Sequence, residues 1–193
     1  MARPAKTFDH AAELAFIDAA NPHQWLLTAV NLHEQAVALW RNRGRSQLTQ
    51  TAKDGTRTTW DDTNRATFLL AAFAMENMLK AFLVYGHPAY IAGGRIQGIT
   101  THDLVKLSEL SPLVPYAARD RWVFEALAEG STSWARYPCG RDADDVRPEG
   151  QFTARLWVKY CDMMVAYTSK MRKLLSKGWT GPCGHYGSWT FHD

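Results

Sequence analysis

The chain has 193 residues, 46% hydrophobic and 21% charged, which is enough apolar material for one sizeable core. Its 22 basic and 19 acidic residues are mostly interspersed and leave a net charge of +3, so charge alone supplies no nucleic-acid footprint. Cys139, Cys161 and Cys183 lie far apart, no secretory leader is evident, and the apolar stretch near 66–75 is shorter than a bilayer span and runs directly into Glu76, so a soluble, cytoplasmic protein with no membrane partner is expected.

Phe8, Ala11, Leu14, Ala15 and Ile17 predict a short accessory helix that ends before Asn21 and Pro22. Asn21 as a cap and Pro22 in the first turn then open a second helix reaching Trp40, with Trp25, Ala29, Leu32, Ala36 and Leu39 at helical spacing. Residues 41–58 are polar, and Asp54-Gly55 signals a turn that either joins two brief strands or closes a loop. A third helix is predicted from Trp60–Asp62 to Tyr85, with Gly86 and Pro88 as its stop; at about 25 residues it is the spine of the bundle.

The stretch 87–100 is a glycine-bearing loop in which Gly93-Gly94 lacks the lysine and hydroxyl residue of a phosphate loop. HDLVKLSEL predicts a short helix with Asp103 in its first turn, and a further helix is expected over 115–129 through Tyr116, Val123, Phe124 and Leu127, broken by Gly130. Residues 131–150, with Pro138, Gly140 and Pro148, read as a long surface loop. The last strong helix covers 151–176 through Leu156, Tyr160, Met163, Tyr167, Met171 and Leu174, and Lys170, Arg172, Lys173 and Lys177 suit its C-terminal dipole. The glycine- and aromatic-rich end lies across the bundle, where Trp179, Trp189 and Phe191 cover it or mediate self-association; by itself this tail offers no basic groove for base stacking. The expected architecture is one all-α domain over 1–193, a bundle of four to five main helices with a short extra helix and a C-terminal aromatic tail.

On the spine, Asp61 and Arg65 form one i,i+4 pair and Glu76 and Lys80 another, and the eleven-residue offset between Arg65 and Glu76 is close to three turns, so both pairs share one side. A structural role for this polar stripe is favoured over catalysis or ligand binding. Arg136, held in WARYP between Trp134 and Tyr137 and stiffened by Pro138, is a candidate bidentate partner for Glu76. His102 and Asp103 are adjacent and point apart, which favours capping and packing over a catalytic dyad. Cys183 and His185, taken with Cys139, Cys161 or His192, lack the spacing of a zinc motif, and Asp142, Asp144 and Asp145 lack that of a calcium loop; neither metal nor cofactor is expected.

AMENMLKAFLVYG at 74–86, THDLVKLSEL at 101–110 and WARYP at 134–138, together with the helix order over 22–176, resemble the HEPN superfamily. That resemblance implies an HEPN-like helical core and pairing into a homodimer. Many such proteins are metal-independent ribonucleases that use an arginine and a histidine near the start of the last bundle helix. Here QFTARLWVKYCDMMVAYTSKMRKLL holds Arg155 and no histidine, so the nuclease pair is absent from its place. Arg95 and His102 are a shifted substitute, with His102 handling a proton and Arg95 stabilising phosphate charge; Arg3 and His10 repeat the same spacing. Other members act without the nuclease pair, beside a nucleotidyltransferase-like partner or as small-ligand scaffolds, and for that role Glu76, Lys80 and Arg136 are the polar candidates. A noncatalytic interaction or small-ligand binding protein, with a nucleotide as one ligand class, is therefore preferred over a ribonuclease acting on RNA or a purely structural oligomerisation module.

Overall fold

The computed structural model describes residues 9–45, 47–61, 64–115, 118–132 and 153–192. Helix α1 (His10–Ala20) starts at Asp9, whose carboxylate accepts the Ala11 amide at 3.0 Å, and α2 (Pro22–Arg41) follows after one residue. That residue, Asn21, donates its side-chain amide to the Asp18 carbonyl at 2.7 Å and accepts the Gln24 N–H at 3.1 Å, so a single asparagine closes one helix and opens the next. Ile17 and Ala20 of α1 lie in the core, which makes the helix more than an accessory.

The Asp54-Gly55 turn does join two strands. β1 (Gln47–Thr51) and β2 (Arg57–Asp61) pair antiparallel, with Leu48 opposite Trp60 and Gln47 opposite Asp61, and Gly55 adopts φ +86 at the tip. Pairing holds Trp60 and Asp61 in the hairpin, so the third helix, α3 (Asn64–Gly86), starts later than expected. Asp61 therefore belongs to β2 and Arg65 to α3, so the two do not stand one turn apart on a common helix as expected.

α3 packs most extensively on α2 and also meets α4 (Leu104–Glu109), α5 (Arg121–Thr132) and α6 (Ala154–Ser176). Its segment Arg65–Gly86 is long and apolar enough to cross a bilayer by length and composition, yet 78% of that window is buried inside the fold. Met75, Met78, Leu79 and Phe82 are fully enclosed, and the Phe82 ring meets Tyr167 of α6 edge-on at 5.8 Å. Between α3 and α4 a short 3-10 helix, Pro88–Gly94, replaces the expected loop, with Gly93 at φ +69 and Gly94 at φ +64. Asp103 is the cap of α4 rather than part of its first turn, accepting the Lys106 N–H at 3.0 Å.

α5 begins six residues later than expected because Pro112 and Pro115 lie in the turns that precede it, and it runs through Gly130, which is buried inside the helix. One interior glycine costs only about 1 kcal/mol, too little to end a helix held by packing. Tyr116 and residues 133–152, with Arg136 and Cys139 and most of the expected surface loop, lie outside the described residues. Beyond α6 the chain forms a second small ribbon, β3 (Trp179–Thr180) with β4 (Tyr186–Gly187). Trp179 is buried and donates its indole N–H to the Val84 carbonyl at 3.3 Å, the Tyr85 hydroxyl reaches the Leu174 and Gly178 carbonyls at 3.1 Å, and the Trp189 amide donates to Leu175. The tail thereby satisfies carbonyls at the C-terminal ends of α3 and α6. The described part is mostly helical with two small two-stranded sheets.

Candidate functional site

Glu76 and Lys80 occupy successive turns of α3, and both residues are buried, at 7% and 6% exposure. The Lys80 ammonium donates to Glu76 Oε1 at 2.7 Å and stands 5.6 Å from the centre of the Trp25 ring on α2. The third member is His102, whose Nδ1 lies 3.0 Å from both carboxylate oxygens of Glu76, while most of its ring remains in solvent. Sequence reading placed Arg136 in this position and His102 in a capping role; Arg136 lies outside the described residues. The network spans α2, α3 and the lead-in to α4, so every charge in it has an intramolecular task.

Arg95 sits exposed at the end of the 3-10 helix with extended backbone, and neither a hydrogen bond nor an ion pair joins it to His102. The structure thus joins Glu76, Lys80 and His102 in one network of which Arg95 is not a hydrogen-bonded member. Glu76, Lys80, His102 and Arg95 do not line the cleft formed beside the C-terminal tail.

That cleft, about 730 Å³, runs between α2, the C-terminal half of α6 and the tail. Val30 and Met164 give it an apolar floor, and Trp189 and Phe191 of the tail wall it on one side. Trp189 is held by stacking on His23 at 5.6 Å with 20° between the rings. The Arg172 guanidinium lies 5.2 Å from the centre of the Phe191 ring, and Lys173 is exposed beside it. Thr168, Ser169, Ser176, Ser188 and Thr190 add hydroxyls to the rim. His33 lines the far side, hydrogen-bonded through Nδ1 to the Tyr160 hydroxyl at 2.9 Å. Burial pushes the His33 imidazole below its ordinary pKa, against a smaller opposing pull from Glu34, and burial raises the Tyr160 hydroxyl well above its own.

The arrangement supplies flat aromatic faces, cations and hydroxyl donors around one concavity. Along the sequence the basic cluster reads as a helix-dipole feature and the aromatics as a cover without basic groups; α6 provides the cations that the tail lacks. The one sequence signal for their meeting is that both parts lie within the last thirty residues, 164–193.

No family model, no curated protein and no solved structure matches the chain.

Proposed function

We propose that this protein is a noncatalytic, HEPN-like helical protein that binds a small anionic ligand carrying a flat ring, of which a nucleotide is the best-fitting class, in the cleft between α2, α6 and the tail. The supporting observation is the meeting of Trp189 and Phe191 with Arg172 and Lys173 around a volume of about 730 Å³, within the range of small-ligand sites. The ring stacks on the tail aromatics, the phosphates face the two cations, and the hydroxyls of Thr168, Ser169 and Ser188 orient the ligand. Glu76 and Lys80 fasten helices in this reading and do not touch ligand.

The test is calorimetric titration of the protein with nucleoside mono-, di- and triphosphates. Binding that weakens by roughly tenfold or more in Arg172→Ala and in Trp189→Ala, and is unchanged in His102→Ala, is expected. Absence of heat with every nucleotide at millimolar concentration overturns the proposal.

Homodimer formation and a nucleotidyltransferase-like protein partner rest on the resemblance to HEPN domains. For pairing there is one further support: Val158 and Val165 stand exposed on one face of α6, seven residues apart, which is two helical turns. Sedimentation of the wild type and of Val158→Glu distinguishes a dimer broken by that charge from a monomer. A ribonuclease using Arg95 and His102 ranks lower, since His102 is engaged by Glu76 and makes no hydrogen bond to Arg95.

A further inference from the structure

His10 and Glu13 stand three residues apart at the start of α1 and so share a helical face. The turn Pro182–Gly184, between β3 and β4, brings Cys183 against that face. One imidazole nitrogen, one carboxylate oxygen and the thiol sulfur all lie within 4.8 Å of one another. These are the three donor types that divalent zinc takes, and their number leaves a fourth tetrahedral position to water or another ligand. The edge of such a tetrahedron is about 3.5 Å, so small rotations of the exposed His10 and Cys183 side chains close the set.

The surroundings are arranged for a fixed ligand shell. Glu13 Oε1 accepts the Gly93 N–H at 3.0 Å, which orients the carboxylate within the cluster. The 3-10 helix carrying Gly93 packs on both α1 and the Pro182–Gly184 turn, so three separate segments hold the cluster. At the other end of α1, His185 Nε2 lies 3.5 Å from Asp18 and tethers the same tail a second time. Cys183 is held at φ +55, a left-handed conformation unusual for a side chain-bearing residue, and this directs its sulfur toward α1.

The geometry points to a zinc-class divalent cation site formed by His10, Glu13 and Cys183, which clasps the beginning of α1 to the C-terminal tail. The metal takes one imidazole nitrogen of His10 and one carboxylate oxygen of Glu13, and the Cys183 S–H bond breaks heterolytically, the electron pair staying on sulfur as the metal–sulfur bond forms and the proton passing to solvent. No zinc motif is visible along the sequence, because the ligands come from opposite ends of the chain.

Titration of the full chain with Co2+, the spectroscopic stand-in for zinc, tests this. One equivalent is expected to produce a thiolate-to-cobalt charge-transfer band that added Zn2+ removes. The band is expected to persist in Cys161→Ser and vanish in Cys183→Gly, a change that the left-handed backbone accepts, so its loss does not reflect unfolding. His10→Ala and Glu13→Gln are expected to weaken Co2+ binding by roughly tenfold or more, with unchanged far-ultraviolet circular dichroism. A wild type with no charge-transfer band, a band surviving Cys183→Gly, or binding untouched by the His10 and Glu13 changes overturns the inference.

Discussion

Replacing Glu76 by leucine tests whether the polar network of α3 is a fastening. The Lys80 ammonium is 2.7 Å from the Glu76 carboxylate, and the two side chains are 8% and 10% exposed, which places the pair among buried ion pairs and not among the surface pairs that contribute about 0–1 kcal/mol. Removing one member of a buried pair costs about 3–5 kcal/mol, mostly because the other charge loses its partner in a low-dielectric site. In Glu76→Leu the ammonium keeps, among the described residues, the Trp25 ring 5.6 Å away, so a loss of at least about 3 kcal/mol is expected. Lys80→Met costs less, about 2 kcal/mol, because Glu76 retains the His102 ring at 3.0 Å on the solvent side. The double change Glu76→Leu with Lys80→Met removes both charges and fills the space with apolar atoms, and its cost is expected to be within about 1 kcal/mol of the wild type. Urea unfolding with linear extrapolation gives all three values at unchanged slope. A single Glu76→Leu change that shifts stability by less than about 0.5 kcal/mol, or a double variant equal to the sum of the singles, refutes the fastening role.

Two other outcomes follow from the same structure. His33 and His23 both have pKa values lowered by burial, so between the ordinary value of 6.5 and the lower folded values the unfolded chain binds protons that the folded chain does not. Their contribution is present above that range and is lost as pH falls through it: the urea midpoint should drop from about pH 7.5 to about pH 5, and His33→Gln should flatten that drop, whereas an unchanged profile contradicts the burial argument. Gly187→Ala would drive a methyl group into the indole of Trp189, a rigid ring already stacked on His23. A cost of about 1–3 kcal/mol and faster hydrogen exchange at the Trp189 amide are expected, and exchange at the wild-type rate would show that the tail does not rest on that glycine.

Helix periodicity and capping residues were enough to place α1, α2 and α6, because Asn21-Pro22, the apolar steps of Trp25 to Leu39 and those of Leu156 to Leu174 act within a few turns of the chain. Local patterns also supplied the Glu76–Lys80 pair, since four residues on a helix are neighbours whatever surrounds them. The start of α3 was not legible, because Trp60 and Asp61 take their conformation from β1, a partner strand whose pairing competes with the helix. Nor was the extent of α5, where packing overrides the weak preference of Gly130. His102 joined Glu76, Arg172 came to lie over Phe191, and His10 and Glu13 met Cys183 only once the bundle had closed. Contacts between residues 19 to 173 positions apart have no periodic signature; they exist because burying the faces of α2, α3 and α6 brings distant segments to common ends of the molecule.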